Sequence, residues 1–204
     1  NSSSYGGGGL YLDASNPILE NISIMENTAN SGGGIYIYNS NPILTNVTIS
    51  DNSTSFGGGG GVQVDYGSYV VFKNVTIIGN IAEMDPFFAD YFDLSSGGGG
   101  IIGANGTFKL INSILWDNIP ESIYTFGYSL PIVQYSNIEE TWTGIGSENI
   151  SENPMFTDSE NGDYTLQEGS PCIDAGTADI DGDGLDDITD YIGTAPDMGA
   201  YEFG

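Results

Sequence analysis

The stretch Gly32-Gly33-Gly34-Ile35-Tyr36-Ile37-Tyr38, continued by Asn41-Pro42-Ile43-Leu44-Thr45-Asn46-Val47-Thr48-Ile49-Ser50-Asp51-Asn52, decides the fold because it repeats what precedes it. Gly6–Gly9 with Leu10-Tyr11-Leu12, then Asn16-Pro17-Ile18-Leu19, Asn21 and Asn27, form the earlier copy, and each asparagine recurs 25 residues later. A third copy runs from Gly57 through Val62-Gln63-Val64 to Asn74 and Asn80, and a fourth from Gly97 through Ile101-Ile102 to Asn112 and Asn118. Ile132-Val133-Gln134-Tyr135-Ser136-Asn137-Ile138 is a degenerate fifth. Within each copy apolar residues alternate with period two, as Leu10/Leu12, Ile35/Ile37 and Val62/Val64, which is the spacing of strands. Glycine runs, Asn-Pro pairs and Asx corners cut each copy into three short strands, the makings of one coil of a parallel β-solenoid. The chain is therefore all-β, with about five coils in residues 1–140 and a cap in 141–204. Stacked strands about 4.8 Å apart would make a rod of roughly 24 Å.

In register, Leu12, Ile37 and Val64 fall in one inward column, and Ile24, Ile49, Ile77 and Leu115 in a second. Asn27, Asn52, Asn80 and Asn118 fall at one corner. There a side-chain amide accepts left-handed backbone and bonds to the coil beside it, forming a ladder. The insert 81–96, with Phe87, Phe88, Tyr91 and Phe92, lengthens the corner after the third coil and reads as a loop covering the side of the rod.

Composition narrows the function. The 204 residues carry 28 acidic side chains against two lysines, with no arginine or histidine, for a formal charge of −26. Such a surface repels phosphate backbones, which excludes nucleic-acid partners. The missing histidine removes the usual neutral-pH proton carrier and imidazole metal ligand, and the missing arginine removes a bidentate clamp for anions. The 24 aromatic residues and 39% apolar content are enough for a core. No apolar run is long enough for a membrane helix, so membrane insertion is not expected. Cys172, the sole cysteine, reads as a small buried hydrophobe.

The Gly-Gly-Gly-Ile35 run followed by Asn46-Val47-Thr48-Ile49-Ser50-Asp51-Asn52 resembles the repeats of polymorphic outer-membrane-protein-like right-handed β-helices. Asn112-Ser113-Ile114-Leu115-Trp116-Asp117-Asn118 and Val133–Glu139 are similar to segments of secreted bacterial proteins of the pectate-lyase-like superfamily. The tail segments Asp163–Gly176 and Pro196–Phe203 resemble those that close the helix in "choice-of-anchor" members. The resemblance implies a right-handed, single-stranded β-helix of extracellular or cell-surface location. It also raises polysaccharide lyase or hydrolase activity, since lyases of this fold use a basic residue and bound calcium on uronates. Only Lys73 and Lys109 are available for that role, and they read as outward charges on neighbouring strands. A carboxylate pair such as Asp51 and Asp117 would be needed for hydrolysis. A surface so acidic repels uronate polymers. The expectation is therefore a non-enzyme.

Asp179-Ile180-Asp181-Gly182-Asp183-Gly184-Leu185-Asp186-Asp187-Ile188-Thr189-Asp190 matches the EF-hand-type calcium loop. Asp179, Asp181, Asp183, Asp187 and Asp190 stand at ligating positions, and Leu185 offers its carbonyl. Hard oxygen donors crowded this closely call for a hard cation, so Ca2+ is expected as a structural staple. Asp190 replaces the usual glutamate, which weakens bidentate ligation. Seven N-x-S/T sequons occur, at Asn1, Asn21, Asn46, Asn52, Asn74, Asn105 and Asn149. Asn21, Asn46 and Asn74 share one column and read as a structural ladder, whereas Asn105 and Asn149 read as turn acceptors for glycans.

Only five residues precede the first glycine run, so the first coil is expected to present an open edge. A longer β-helix or head-to-tail contact with a second copy would cover it. The expected protein is an extracellular structural or adhesive β-helix assembling as a surface filament. The alternative is a carbohydrate-active module, binding surface glycans through the outward Tyr11, Tyr36 and Tyr38.

Overall fold

The computed structural model describes residues 1–83 and 97–204, so that 84–96, most of the insert 81–96 and including its four aromatics, lies outside the described residues. The first coil holds strands β1 (Ser2–Gly6), β2 (Leu10–Asp13), β3 (Ile18–Glu20) and β4 (Ser23–Met25). The second holds β5 (Thr28–Ser31), β6 (Ile35–Tyr38) and β7 (Ile43–Ser50), and the third β8 (Ser53–Thr54), β9 (Val62–Asp65) and β10 (Tyr69–Ile78). The fourth holds β11 (Ile81–Ala82), β12 (Gly98–Ala104), β13 (Thr107–Ile111) and β14 (Ile114–Trp116). The fifth holds β15 (Glu121–Phe126), β16 (Ile132–Gln134) and β17 (Asn137–Ile138).

These strands stack into three sheets running along the rod. Sheet A is β1-β5-β8-β11, sheet B is β2-β6-β9-β12-β15, and sheet C joins β3 and β4 through β7 and β10 to β13, β14, β16 and β17. The strand pairs of all three sheets are parallel. A parallel neighbour can be reached only by a full circuit of chain, which is what a coil of about 25 residues supplies. The fold is a parallel β-helix of about five coils, as the repeat predicts.

The predicted columns are present. Leu12 pairs with Ile37 and Ile37 with Val64, while Ile24, Ile49, Ile77, Leu115 and Ile138 follow one another in sheet C. Both columns face a continuous core in which Phe72 and Phe108 meet edge to face, ring centres 6.0 Å apart. That packing is the favoured aromatic geometry and adds to the area both rings bury.

The asparagine ladder is built as expected but for a different backbone reason. Asn27 Nδ2 donates to Asn52 Oδ1 at 2.9 Å, Asn52 Nδ2 to Asn80 Oδ1 at 2.9 Å, and Asn80 Nδ2 to Asn118 Oδ1 at 3.0 Å. Each main-chain N–H of Asn27, Asn52 and Asn80 donates to the same oxygen of the next rung. The left-handed residue is the one before each rung, namely Glu26, Asp51, Gly79 and Asp117, all with positive φ. The turn is thus made by the preceding residue, and the asparagine plugs the polar groups that turn leaves inside. Left-handed asparagines do occur at the other sheet C corner, at Asn21, Asn46, Asn74 and Asn112.

The C-terminal region departs from a simple end cap. Ile145 and Ile150 form bridges to Ile132 and Asn137, extending sheet C by part of a sixth turn, and Trp142 packs against the end of the core. The chain then forms an antiparallel hairpin, β18 (Phe156–Asp158) and β19 (Asp163–Leu166), and runs back along the outer face of sheet C. A second apolar cluster of Ile114, Leu166, Cys172 and Met198 glues it there. Cys172 is fully buried, and burial pushes its thiol up to about 11, in keeping with a structural hydrophobe. Among the described residues no helix is long and apolar enough to cross a membrane.

Candidate functional site

The returning tail creates the most elaborate surface of the molecule. Lys109 Nζ donates to the Ile180 carbonyl at 2.6 Å, and Asn112 exchanges two 2.8 Å bonds with Thr177. Further along, Ala200 N–H donates to Thr76 Oγ1 at 3.0 Å, and Thr48 Oγ1 donates to the Tyr201 hydroxyl at 3.1 Å. Tyr164 of the hairpin reaches Asp51 at 3.2 Å. The tail therefore spans coils two to four from the side, and the outward residues Thr48, Thr76 and Asn112 serve as its sockets.

Three carboxylates hold the tail's end together. Buried Asp197 accepts the N–H groups of Asp174 and Phe203 at 2.8 and 2.7 Å, Glu202 accepts those of Asp197 and Ile192, and Asp174 accepts those of Thr194 and Ala195. Burial pushes Asp197 and Glu202 above the ordinary carboxylate range. It also raises Glu139 and Glu121, with Glu140 adding to the shift at Glu121. The Ala195 and Thr194 N–H groups hold Asp174 below its ordinary value, and Thr165 does the same for Asp163. An acid raised in the folded state contributes stability that is present below its unfolded pKa and lost as pH rises through its folded pKa. Four raised carboxylates and a formal charge of −26 both favour mild acid. The melting temperature should rise on going from pH 7 to about pH 5, then fall as Asp174 and Asp163 protonate below the ordinary carboxylate range. Scanning calorimetry across pH 3–8 (buffer range, roughly the carboxylate titration window) checks it; a flat or opposite trend between pH 7 and 5 contradicts it.

The Asp-rich segment forms a compact exposed loop rather than a full EF-hand ligand set. Asp179, Asp181 and Asp187 each place a carboxylate oxygen within 4.8 Å of the others. Asp179 also accepts the N–H groups of Gly182, Asp183 and Gly184, and Asp187 those of Ile180 and Asp181. Asp183 and Asp190 stand outside this cluster. Asp183 instead accepts the Leu185 N–H at 2.8 Å, and Leu185 itself is exposed. Asp190 turns up in a different place. With Asp187, Thr189, Tyr201 and Glu202 it lines a cleft of about 730 Å³ whose other wall is Glu20, Thr45, Asn46, Lys73 and Asn74 from sheet C. The motif revealed the acidic crowding but not this cleft, whose two walls lie more than a hundred residues apart in sequence.

The two lysines play unlike parts. They sit on adjacent outward columns, as predicted, since Lys109 pairs with Val71 and Lys73 with Ile111. Lys109 pins the tail, whereas Lys73 faces the cleft. Asp51 and Asp117, the carboxylates weighed as a hydrolytic pair, occupy the same corner two coils apart, at about 10 Å by strand spacing. Asp51 accepts from Tyr164, and the Asp117 N–H donates to Glu139.

Tyr11 and Tyr36 stack with rings 4° from parallel and centres 5.2 Å apart, and the Tyr36 hydroxyl donates to Asp65 at 2.6 Å. Burial and the Asp65 carboxylate raise the Tyr36 phenol further above its ordinary value. Each ring turns a face to its neighbour along the rod, so this pair is a ladder before it is a platform. Tyr38, one residue pair along, is exposed.

The sequons divide by environment. Asn52 is fully buried, with both Nδ2 hydrogens engaged by Ile24 O and Asn80 Oδ1, which corrects its inclusion among glycan acceptors. Asn74 is covered by the tail, its Nδ2 donating to Asp197 O. Asn149 is not a free turn residue either: it bonds Ser136 N–H at 3.1 Å and Val133 O at 2.7 Å across the coils. Asn105 is half-buried and left-handed, its Oδ1 accepting from Tyr128 at 3.4 Å. Asn1, Asn21 and Asn46 are exposed, with Asn46 Nδ2 donating to Asn21 Oδ1 at 3.3 Å.

Three stacked parallel sheets closed around a single apolar core define the class as a parallel β-helix. Residues 1–91 match the family model described as "Right handed beta helix region", which ends within the insert after the third coil. The coils continue with the same registers through Ile138, so the fold is a right-handed parallel β-helix over its five turns. No significant match was found among curated proteins or among solved structures.

Proposed function

We propose that this chain is a non-enzymatic extracellular β-helix with a structural or adhesive role at a cell surface, its coils stacking head-to-tail on those of a second copy. The observation that carries this reading is the axial direction of its polar chemistry. Asparagine, serine and tyrosine side chains bond or stack from coil to coil, so the molecule is organised to propagate along one axis. A further coil in the same register would continue these ladders. The acidic surface would keep the resulting fibres apart.

Sedimentation velocity and negative-stain microscopy of the 1–204 chain test the reading. Concentration-dependent fibres one molecule wide are expected. Monodisperse globular particles at every concentration would remove the filament, and release of unsaturated uronates or reducing ends from polysaccharides would move the protein to the carbohydrate-active enzymes.

Calcium belongs to the same proposal, as a staple of the tail held by Asp179, Asp181 and Asp187. At free calcium 100-fold above its dissociation constant the folded state should gain about 2.7 kcal/mol. The gain should vanish in the Asp181→Ala, Asp187→Ala double variant. Calorimetric titration showing no uptake by the chelator-treated chain would refute the staple.

A further inference from the structure

We propose that Tyr11 and Tyr36 are a modification site, where a one-electron oxidant joins the two rings into a dityrosine that ties the first coil to the second, with Asp65 as the proton acceptor. β2 and β6 pair in parallel with Tyr11 opposite Tyr36, so both side chains leave the same face of sheet B one strand spacing apart. The rings stack 4° from parallel with centres 5.2 Å apart. Among the described residues no other two tyrosine rings touch. The next position in the column is Gln63, so the ladder of rings stops at two. Gly6 leaves the room that Tyr36 occupies, because a Cβ there would fall 2.7 Å from the Tyr36 ring. Tyr11 is half-exposed and open to an oxidant.

Packing does not account for what the hydroxyl does. The Tyr36 hydroxyl donates to Asp65 Oδ2 at 2.6 Å, the length of a charge-assisted O–H···O⁻ bond. Asp65 Oδ1 accepts the Tyr66 N–H at 2.7 Å, which fixes the carboxylate, and no cation stands beside it among the described residues. A phenol becomes a strong acid when it loses an electron, so a base already at hydrogen-bond distance takes the proton as the electron leaves. Oxidation of Tyr36 therefore yields a neutral phenoxyl radical stacked on the Tyr11 ring. Each of the two phenols gives up one electron and one proton. The radicals then join through a carbon ortho to each oxygen, and the hydrogens on those carbons shift to the oxygens, restoring both phenols. Hydrogen peroxide, acting through a peroxidase, takes up the two electrons and two protons and leaves as two waters. The site stands whether or not the chain forms filaments.

Photo-oxidation of the dilute 1–204 chain with a ruthenium tris-bipyridyl complex and persulfate tests it. Digestion at acidic residues cuts at Asp13, Glu20 and Glu26, between the two rings, so mass spectrometry finds the linked peptides. The Tyr11–Tyr36 pair should be the main dityrosine within the chain, with a yield independent of protein concentration. The linked chain should melt higher, because a covalent tie between coils restricts the unfolded state. Tyr36→Phe keeps the stacked ring and should abolish the link. Asp65→Asn keeps the shape without the base and should slow the link about tenfold or more, and melting curves confirm that each variant is folded. Dityrosine only between chains or at other pairs, an equal yield from the urea-unfolded chain, or an Asp65→Asn rate equal to the parent's overturns the assignment.

Discussion

Replacing Asn80 by alanine is expected to destabilise the protein by about 4 kcal/mol, a large loss for a single polar substitution in the coils. Asn80 is a central rung. Its Oδ1 accepts both the N–H and the Nδ2 of Asn52, and its Nδ2 donates to Ile49 O at 2.9 Å as well as to Asn118. Truncation leaves the buried donors of Asn52 without an acceptor and the Ile49 carbonyl without a donor. Each orphaned group costs about 1–3 kcal/mol. For a chain of this size the melting temperature should fall by about 10 °C. Asn16→Ala is the control, because Asn16 is exposed and makes one bond, to Asn41 N–H at 2.6 Å. Its cost should be about 1 kcal/mol. Urea unfolding of the two variants measures both, and equal losses would show that the ladder is decoration.

Gly33→Ala should be at least as damaging, with little or no folded protein recovered. Gly33 lies where two coils touch main chain to main chain, and a Cβ there would collide with the carbonyl oxygens of Gly60 and Ser53 on the next coil. Backbone cannot move aside as a side chain can, so the coils must splay and the core beneath them must open. The residue does not have a positive φ, so the cause is space rather than conformational freedom. Gly182→Ala separates the two effects. Gly182 has a φ of +83° and nothing within 4 Å of an added Cβ. It should cost only the left-handed penalty of about 1–2 kcal/mol. Equal recovery of Gly33→Ala and Gly182→Ala from the soluble fraction would contradict the close approach.

The two substitutions also mark where sequence reading reached and where it stopped. The glycine runs are legible as corners, yet their reason differs from position to position, since some need left-handed backbone and others need contact with a neighbouring coil. In the ladder, the register was legible from the recurrence of Asn27, Asn52, Asn80 and Asn118, while the left-handed turn sits one residue earlier, on Glu26, Asp51, Gly79 and Asp117. The Asp-rich motif announced oxygen crowding at Asp179, Asp181 and Asp187, but it also nominated Asp183, Leu185 and Asp190, which the loop turns elsewhere. A turn motif specifies spacing, and the ligand set depends on how the loop is tied down by its own N–H groups.

From sequence alone came the parallel stacking, the inward columns and the polar ladder. Each joins a residue to its own equivalent one coil away, so the same interaction is written several times at a near-constant spacing and the period exposes it. Tertiary structure alone decided that the tail lies along sheet C, that it encloses Asn74, and that Lys73 shares a cleft with Asp187, Asp190 and Glu202. Those contacts, such as Thr48 with Tyr201 or Thr76 with Ala200, occur once and bridge more than 120 residues. They depend on an apolar seam of Ile114, Leu166, Cys172 and Met198 whose members share no period, and burial of that seam, rather than any local pattern, selects where the tail comes to rest.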